Sequence, residues 1–261
     1  MRIGIICGSE IPYLINDPEN LIVETPYGRA TIRVSDIMGH EIFFINRHGK
    51  DSTIPFHKIN HRANIQALAY GRVESILSVD FVRSLNESIY PGDIVLPHDF
   101  VDFTKSNAVT FFDEEKNQIK TNMANPFCIS LRRLFLSSCV KMRDFKFHEE
   151  GVYLATDGLR NETYTEAMFY SKLADIVGTV SVPEAILARE KNICYASLCV
   201  VYNTAENIQD KITGEEAQMI YDLREPIFSK ILKLTVDNMH ARRECSCRDV
   251  DCGVRTIERT L

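Results

Sequence analysis

The sequence predicts a single α/β domain in which helices cover both faces of a central sheet. Two observations carry this prediction. Short runs of β-branched residues are apolar almost without interruption, and the segments between them repeat apolar residues with the period of a helix. The 261 residues are enough for one domain with a sizeable core, and no segment has the composition of a linker. We therefore treat residues 1–261 as one domain.

The elements follow from these patterns in chain order. The predicted strands are Ile3–Cys7, Glu41–Asn46, Ser75–Val79, Asp93–Leu96, Asp175–Val180 and Ile193–Val201. A single apolar stripe predicts a helix over Ile59–Tyr70. Ser181-Val-Pro-Glu184 and Thr213-Gly-Glu-Glu216 both have the form of a capping box, which predicts one helix through Arg189 and another to about His240. The polar, irregular stretch Phe103–Met123 predicts a surface excursion.

Composition and charge exclude several classes of protein. With 45% hydrophobic residues, 25% charged residues and a net charge of −6, the chain is neither disordered nor fibrous, and nucleic acid is not an expected partner. No apolar run approaches the length of about eighteen residues that a membrane span needs. The first residues lead directly into a strand, so we expect no signal peptide, no membrane partner and a cytoplasmic location.

The eight cysteines fall into two groups. Five lie in apolar contexts that predict buried free thiols, namely Cys7, Cys128, Cys139, Cys194 and Cys199. The other three, Cys245, Cys247 and Cys252, form with His240 a C-terminal group of possible zinc ligands. Because Cys-x-Cys is shorter than the usual zinc spacing, a disulfide within the tail is favoured over a metal, and free thiols remain open.

Three polar motifs follow predicted strands. Cys7-Gly-Ser-Glu10 offers backbone N–H groups to an anion, and Arg47-His-Gly49 combines a bidentate donor with a second donor. Tyr202-Asn-Thr-Ala205 places an amide where it could meet a purine edge. Each motif taken alone is equally consistent with an ordinary turn.

Taken together, these motifs resemble the trimeric nucleoside phosphorylases, which include methylthioadenosine phosphorylase and purine nucleoside phosphorylase. The resemblance spans nearly the whole chain. Its carriers are Ile3–Ser9, Arg47–Gly49 with Thr53–Pro55, Ile59-Asn60 with Arg62–Leu68, Ser84-Leu85 with Tyr90–Val95, Met123–Cys128, Val182–Glu184 and Ile193–Ser197. The resemblance implies a twisted mixed sheet, partly closed as a barrel and surrounded by helices. It also implies a homotrimer, or a hexamer built as a dimer of trimers, with active sites near the subunit contacts.

The resemblance also assigns site residues by position. The implied phosphate ligands are Ser9, Arg47, His48, Asp80, Phe81 and Val180, and the implied substrate contacts are Thr179, Asn203, Thr204, Ala205 and Asn161. Asn203 is the implied catalytic residue, because its amide can donate to O6 of a departing base while its oxygen receives N7–H. Adenine-specific relatives carry carboxylates in this segment, so Asn203 favours a 6-oxopurine.

The expected phosphate pocket departs from the family pattern. Asp80 replaces a threonine and would repel phosphate unless it is protonated or turned away. Arg83 replaces a glycine and could neutralise it. Val180 replaces a hydroxyl residue, Asn161 replaces an aromatic that packs on the purine, and Glu10 replaces a glycine.

The expected function is phosphorolysis of inosine, guanosine or 5'-methylthioinosine in purine salvage. The products would be the free base and ribose-1-phosphate or its methylthio analogue. Phosphate is the co-substrate, and neither another cofactor nor a metal is expected. Two alternatives stay open: a non-catalytic homologue that binds a nucleoside or an anion, and a nucleoside hydrolase in which Asp80 orients water.

Overall fold

The fold is a mixed sheet with helices on both faces. The computed structural model describes residues 1–11, 14, 18–49, 52–105, 110–113, 120–142, 145–206, 208–240 and 244–248. Within those residues, the strands are β1 (Arg2–Cys7), β2 (Glu19–Thr25), β3 (Gly28–Ile37), β4 (His40–Asn46), β5 (Ser75–Ser84), β6 (Ile94–Val95), β7 (Asp99–Asp102), β8 (Phe147–His148), β9 (Val152–Ala155), β10 (Ile176–Gly178) and β11 (Cys194–Thr204). The helices are α1 (His61–Tyr70), α2 (Ile129–Val140), α3 (Tyr164–Tyr170), α4 (Ser181–Glu190) and α5 (Gly214–Asp237).

Strand β5 organises the sheet because different parts of it pair with three other strands. Residues Ser75–Ser78 pair in parallel with β1, and β11 runs parallel to β5 along its whole length. The last two residues of β5 pair instead with the antiparallel β10. Since β4 is also parallel to β1, the strands β4, β1, β5 and β11 end at the same edge of the sheet. In open sheets of this kind, ligands bind at that edge.

The single mixed α/β domain predicted from the sequence is confirmed, and each of the six predicted strands overlaps an observed one. Strand pairing among the described residues does not close the sheet into a ring, so the partial barrel stays a prediction. The pairing order runs β2-β3-β4-β1-β5-β10-β9-β7, with β11 joining β5 to β6, and β6 pairing with β8.

Two local predictions are wrong. The capping box at Ser181 is not formed, because Val180 occupies the N-cap position of α4 and makes no side-chain cap. The box at Thr213 is confirmed: its hydroxyl accepts from the N–H of Glu216, whose carboxylate accepts from Thr213 N–H in return. The surface excursion is wrong at Phe111, which is buried and donates its N–H to the Glu190 carboxylate at 2.7 Å.

Two large apolar clusters stabilise the two faces of the sheet. One packs α2 and α5 against β1, β5 and β11, and the other packs α1 and α4 against the opposite face. Burying such surfaces contributes about 25 cal/mol per Å² and fixes the strand ends relative to one another. Among the described helices, none has the length and apolar character needed to cross a bilayer.

Candidate active site

Arg47 follows β4 directly, and its guanidinium is buried. Nε donates to Glu184 Oε1 at 2.6 Å, and Nη2 donates to Glu184 Oε2 at 2.9 Å and to the Ser78 hydroxyl at 2.6 Å. Nη1 donates to the Val79 carbonyl at 2.7 Å. Burial opposes both charges, but their mutual attraction prevails: it raises the pKa of Arg47 and lowers the pKa of Glu184 to about 2. The charge of Arg47 is thus already balanced by a carboxylate, and its contact with phosphate stays a prediction.

His48 lies against the turn that follows β1. A Cβ built on Gly8 would sit 3.6 Å from His48 Nε2, in ordinary van der Waals contact, so the imidazole ring lies directly beside this turn. Nδ1 lies 2.6 Å from the Ile54 carbonyl, an acceptor that requires the ring proton on Nδ1. Ser9 is half-buried in the same turn, with its hydroxyl 3.5 Å from Cys7 Sγ. The structure therefore brings Ser9 and His48 together, and their binding of phosphate stays a prediction.

Asp80 is buried and engaged by two hydroxyl groups. Its Oδ2 accepts from Tyr153 at 2.7 Å and from Ser181 at 2.8 Å, which explains why Ser181 does not cap α4. Burial raises the pKa of this carboxyl above its usual range. The expected pairing with Arg83 is wrong, because residues three apart in a strand project from opposite faces. Arg83 instead pairs with Glu162 at 2.6 Å.

A cavity of about 430 Å³ opens near these strand ends. Its walls are Phe56, Phe81, Arg83, Thr156, Gly158, Arg160, Asn161, Val177, Gly178, Thr179, Tyr202, Gly214, Ala217, Gln218 and Tyr221. Four of these are aromatic, and the Phe81 ring lies 5.1 Å from that of Tyr221. A cavity of this size with aromatic walls suits a purine nucleoside better than a small anion alone.

Of the predicted substrate contacts, Thr179 and Asn161 line the cavity. Phe81, predicted as a phosphate contact, also lines it and contributes its ring. None of the described residues in the walls is Asp or Glu. The two wall arginines are each paired with a glutamate outside the lining, Arg83 with Glu162 and Arg160 with Glu166. The walls therefore offer hydrogen-bond donors without a carboxylate.

The segment Tyr202–Ala205, which was expected to recognise the base, does not present the Asn203 side chain to the cavity. The Asn203 amide donates to the Ile212 carbonyl at 3.3 Å, and its oxygen accepts from Thr204 N–H at 2.8 Å. Thr204 and Ala205 are buried, and only the preceding Tyr202 lines the cavity. Base recognition by this segment stays a prediction, and it requires the amide to leave Ile212.

Two further departures lie outside the cavity walls. Val180 is buried beside Thr179, and its contact with phosphate stays a prediction. Glu10 is exposed, pairs with Arg33 and accepts from the Asn46 amide at 3.0 Å. The carboxylate that replaces the expected glycine is thus engaged on the surface side of the turn.

Sequence reasoning missed most of the aromatic walls. Phe56 packs edge-on against His48 with 4.7 Å between ring centroids, and Tyr221 comes from the second turn of α5. A usable signal was present in α5, where Gly214, Ala217, Gln218 and Tyr221 repeat at helical spacing and all line the cavity.

The tail cysteines do not form a group of their own with His240, as the sequence predicted, but lie beside two of the buried cysteines of the domain. The five predicted buried thiols are all buried and unbridged. In the tail, Cys245 and Cys247 are also unbridged, so the disulfide favoured within the tail is not formed at either of them, and Cys252 lies outside the described residues. His240 is exposed and takes no part in the group that the tail cysteines join.

A family model described as "Phosphorylase superfamily" matches residues 2–236 of this chain. The chain belongs to the phosphorylase superfamily. The resemblance recognised in the sequence is thereby confirmed, and the chain is an enzyme of the nucleoside phosphorylase family.

Several named relatives align with almost the entire chain. The S-methyl-5'-thioadenosine phosphorylase of Pyrococcus furiosus is 36% identical over 251 residues, which cover 95% of this chain and 97% of that protein. The probable 6-oxopurine nucleoside phosphorylase of Korarchaeum cryptofilum is 36% identical over 263 residues, with the same coverage. The probable S-methyl-5'-thioinosine phosphorylase of Methanocaldococcus jannaschii is 38% identical over 250 residues, which cover 95% of this chain and 96% of that protein.

Solved structures of this superfamily share the fold. A methylthioadenosine phosphorylase from an antarctic soil metagenomic library superposes with a TM-score of 0.89 at 27% identity, covering 96% of this chain and 90% of the other. A variant of the adenosine/methylthioadenosine phosphorylase of Schistosoma mansoni in complex with adenine gives a TM-score of 0.86 at 26% identity, covering 95% and 94%.

Proposed function

We propose that this chain is a phosphorylase of purine nucleosides that prefers bases with an oxo group at C6, such as inosine, guanosine or 5'-methylthioinosine. The relatives include both methylthioadenosine and 6-oxopurine phosphorylases, so either type fits the family. One observation carries the choice between them: no carboxylate stands among the described residues that line the cavity. An oxo group accepts hydrogen bonds and needs donors, which the walls supply, whereas the carboxylates that the family resemblance associates with a 6-amino base are missing from the described walls.

The cavity walls supply the required donors. Asn161 and Gln218 carry amides, and Arg160 carries a cation that is paired with Glu166. Aromatic rings from Phe81 and Tyr202 offer faces on which a purine can stack. The site then holds the base by stacking and by hydrogen bonds to its oxo group.

The reaction consists of one displacement at C1′ of the sugar. An oxygen of phosphate forms the new bond to C1′ while the bond from C1′ to N9 breaks, and the electron pair of that bond leaves with the base. The proton that the attacking monohydrogen phosphate loses reaches N7 of the base through water and neutralises the base, and Asn203 is the residue proposed to accept a hydrogen bond from that N7–H. Catalysis is then positioning and charge stabilisation, with phosphate as the co-substrate and no covalent intermediate with the enzyme.

We propose that phosphate binds at the turn of Gly8 and Ser9, beside His48. Backbone N–H groups at a strand end form a concave site for an anion. In the neutral ring, Nε2 of His48 is an acceptor facing this turn, so it suits a protonated phosphate oxygen. Asp80 is held by two hydroxyl donors beside α4, which supports phosphorolysis over a hydrolysis that needs this carboxylate to orient water.

The test is an assay of one matched pair of substrates, 5'-methylthioinosine and methylthioadenosine, which differ only in the group at C6 of the purine and the proton at the adjacent N1. Inosine and guanosine are assayed beside them across a phosphate series, with release of the base and formation of the sugar phosphate as readouts. We expect a higher kcat/KM for methylthioinosine than for methylthioadenosine, and a rate that rises with phosphate.

Each contrary result has one meaning. A preference for methylthioadenosine overturns the choice of base. Turnover that is independent of phosphate identifies a hydrolase. No turnover of any of the four nucleosides identifies a non-catalytic homologue.

A further inference from the structure

Four cysteines from three separate parts of the chain converge on one point away from the cavity. This four-cysteine cluster consists of Cys128, Cys194, Cys245 and Cys247. Cys128 is the N-cap residue of α2, Cys194 is the first residue of β11, and the other two belong to the C-terminal segment after α5. The cysteine side chains of the C-terminal segment therefore contact those of α2 and β11.

The geometry of the cluster is that of a metal site. All four Sγ atoms lie within 4.8 Å of one another, and the Sγ atoms of Cys194 and Cys245 are 3.4 Å apart. Four thiolates around zinc, with Zn–S bonds of about 2.3 Å, have sulfurs about 3.8 Å apart, the edge of the tetrahedron. Each sulfur of the cluster is close to all three others. Four ligands of one metal ion must be arranged in this way, whereas two independent disulfides need only bring the sulfurs together in pairs.

The surroundings hold the ligands in place before any metal binds. The backbone N–H of Cys128 donates to the Tyr195 carbonyl at 2.7 Å, which fixes α2 beside the start of β11. The N–H of Cys194 donates to the Glu74 carbonyl at 3.1 Å, which anchors β11 beside β5. Cys128, Cys194 and Cys247 are no more than 3% exposed and belong to the apolar core under α5.

The charge of the site is also suited to thiolates. A zinc ion with four thiolates carries two net negative charges. The N-terminus of α2, where Cys128 stands, carries the positive end of the helix dipole. Binding exchanges the protons of four thiols for one Zn²⁺, so no oxidant is required.

We propose that the four-cysteine cluster is a structural zinc site that fastens the C-terminal segment to α2 and β11. A closed set of four thiolates in a dry setting leaves no position for substrate, which is the pattern of structural sites. Its chemistry is independent of the nucleoside cavity and of the base that the enzyme prefers.

The test combines metal content with a thiol count on the full chain. The protein is equilibrated with ZnSO₄, dialysed without chelator or reductant, and measured by elemental analysis. We expect one equivalent of zinc per chain. When it is denatured with chelator, all eight cysteines of the sequence should react with a thiol reagent. Replacing zinc with Co²⁺ should produce the intense visible bands of tetrahedral cobalt thiolate.

The matched variants are Cys247→Ser, which removes a proposed ligand, and Cys252→Ser, which removes the tail cysteine that is not one of the four proposed ligands. Cys247→Ser should lose the bound zinc and the cobalt bands, and Cys252→Ser should keep both. If Cys247→Ser fails to fold, the wild-type thiol count still decides. Absent zinc with fewer than eight reactive thiols would establish disulfides in place of the metal. Absent zinc with eight reactive thiols would establish a cluster of free thiols, and either result overturns the proposal.

Discussion

At the residue scale, the unusual feature of the site is a buried ionic network with two carboxylates and one guanidinium. Glu184 takes the charge of Arg47 through two hydrogen bonds, and both side chains are at most 2% exposed. Asp80 must then rely on hydroxyl donors, and burial raises the pKa of its carboxyl. The charge that could oppose phosphate at Asp80 is therefore disfavoured by the fold itself.

Glu184→Gln should strongly destabilise the protein, because it leaves the Arg47 guanidinium buried without its counter-charge. Breaking a buried pair from one side typically costs about 3–5 kcal/mol. The double variant Arg47→Met with Glu184→Leu is the matched control, since it removes both charges and should recover most of that loss. Urea unfolding of the three proteins measures the free energies, and a Glu184→Gln loss below that of the double variant would contradict the argument.

The Arg47–Glu184 ion pair also makes the stability of the protein depend on pH. The pKa of Glu184 is lowered from 4.5 to about 2, so its contribution to stability is complete above 4.5 and is lost as the pH falls toward 2. The shift corresponds to about 3 kcal/mol. The difference in unfolding free energy between the wild-type protein and Glu184→Gln should therefore shrink as the pH falls from 4.5 toward 2. Urea unfolding of both proteins at a series of pH values measures this difference.

At the element scale, two capping-box sequences of the same form behave differently: the one at α5 caps its helix, and the one at α4 does not. Thr213 and Glu216 cap α5 as the sequence predicts, because their surroundings are exposed and offer no competing partner. At α4, Ser181 donates to Asp80 and Glu184 binds Arg47, so tertiary partners displace the local cap. The local sequence pattern predicts a helix start in both places, but the tertiary fold determines which hydrogen-bond partners the side chains take.

The start of α5 forms one wall of the cavity, so a larger side chain there should hinder substrate binding. Ala217→Phe should fill part of the space that a nucleoside needs and raise the KM for the nucleoside about tenfold, which corresponds to about 1.4 kcal/mol of lost binding. Met219→Phe is the control, because Met219 is 62% exposed on the same helix and does not line the cavity. Steady-state kinetics across a nucleoside series measures both. Equal KM values for the two variants would remove α5 from the substrate site.

At the scale of the whole molecule, the buried parallel strands could be predicted and the outer elements could not. Strands such as β1 and β11 are apolar over most of their length because both faces are covered, which the sequence displays directly. The hairpin of β2 and β3 is largely exposed, so it has no continuous apolar run. Its signal was the turn before Gly28, whose φ of 114° suits glycine. The four-cysteine cluster depends on contacts across 51 residues and more, which spacing along the chain does not reveal.

The family resemblance implies a trimer or hexamer, and an apolar patch near the cavity is the surface where we expect the subunits to meet. Phe103, Leu159 and Phe169 are 37%, 67% and 53% exposed, and the Phe103 ring stacks on Tyr170 at 5.3 Å. Leu159 lies between two cavity residues, Gly158 and Arg160, so a subunit seated on this patch would reach the site. Exposed apolar surface of this kind is typical of a subunit contact.

We expect the wild-type protein to sediment as a trimer or hexamer. Phe169→Glu should shift it toward the monomer and lower kcat/KM, because a carboxylate cannot be buried in an apolar contact without a partner. Val140→Glu is the matched control, since Val140 is 59% exposed on α2 and lies outside the patch. Sedimentation velocity combined with the nucleoside assay separates the outcomes. A wild-type monomer would refute the assembly. An oligomer that Phe169→Glu leaves intact would place the subunit contact on another face, because the added charge would then remain in water.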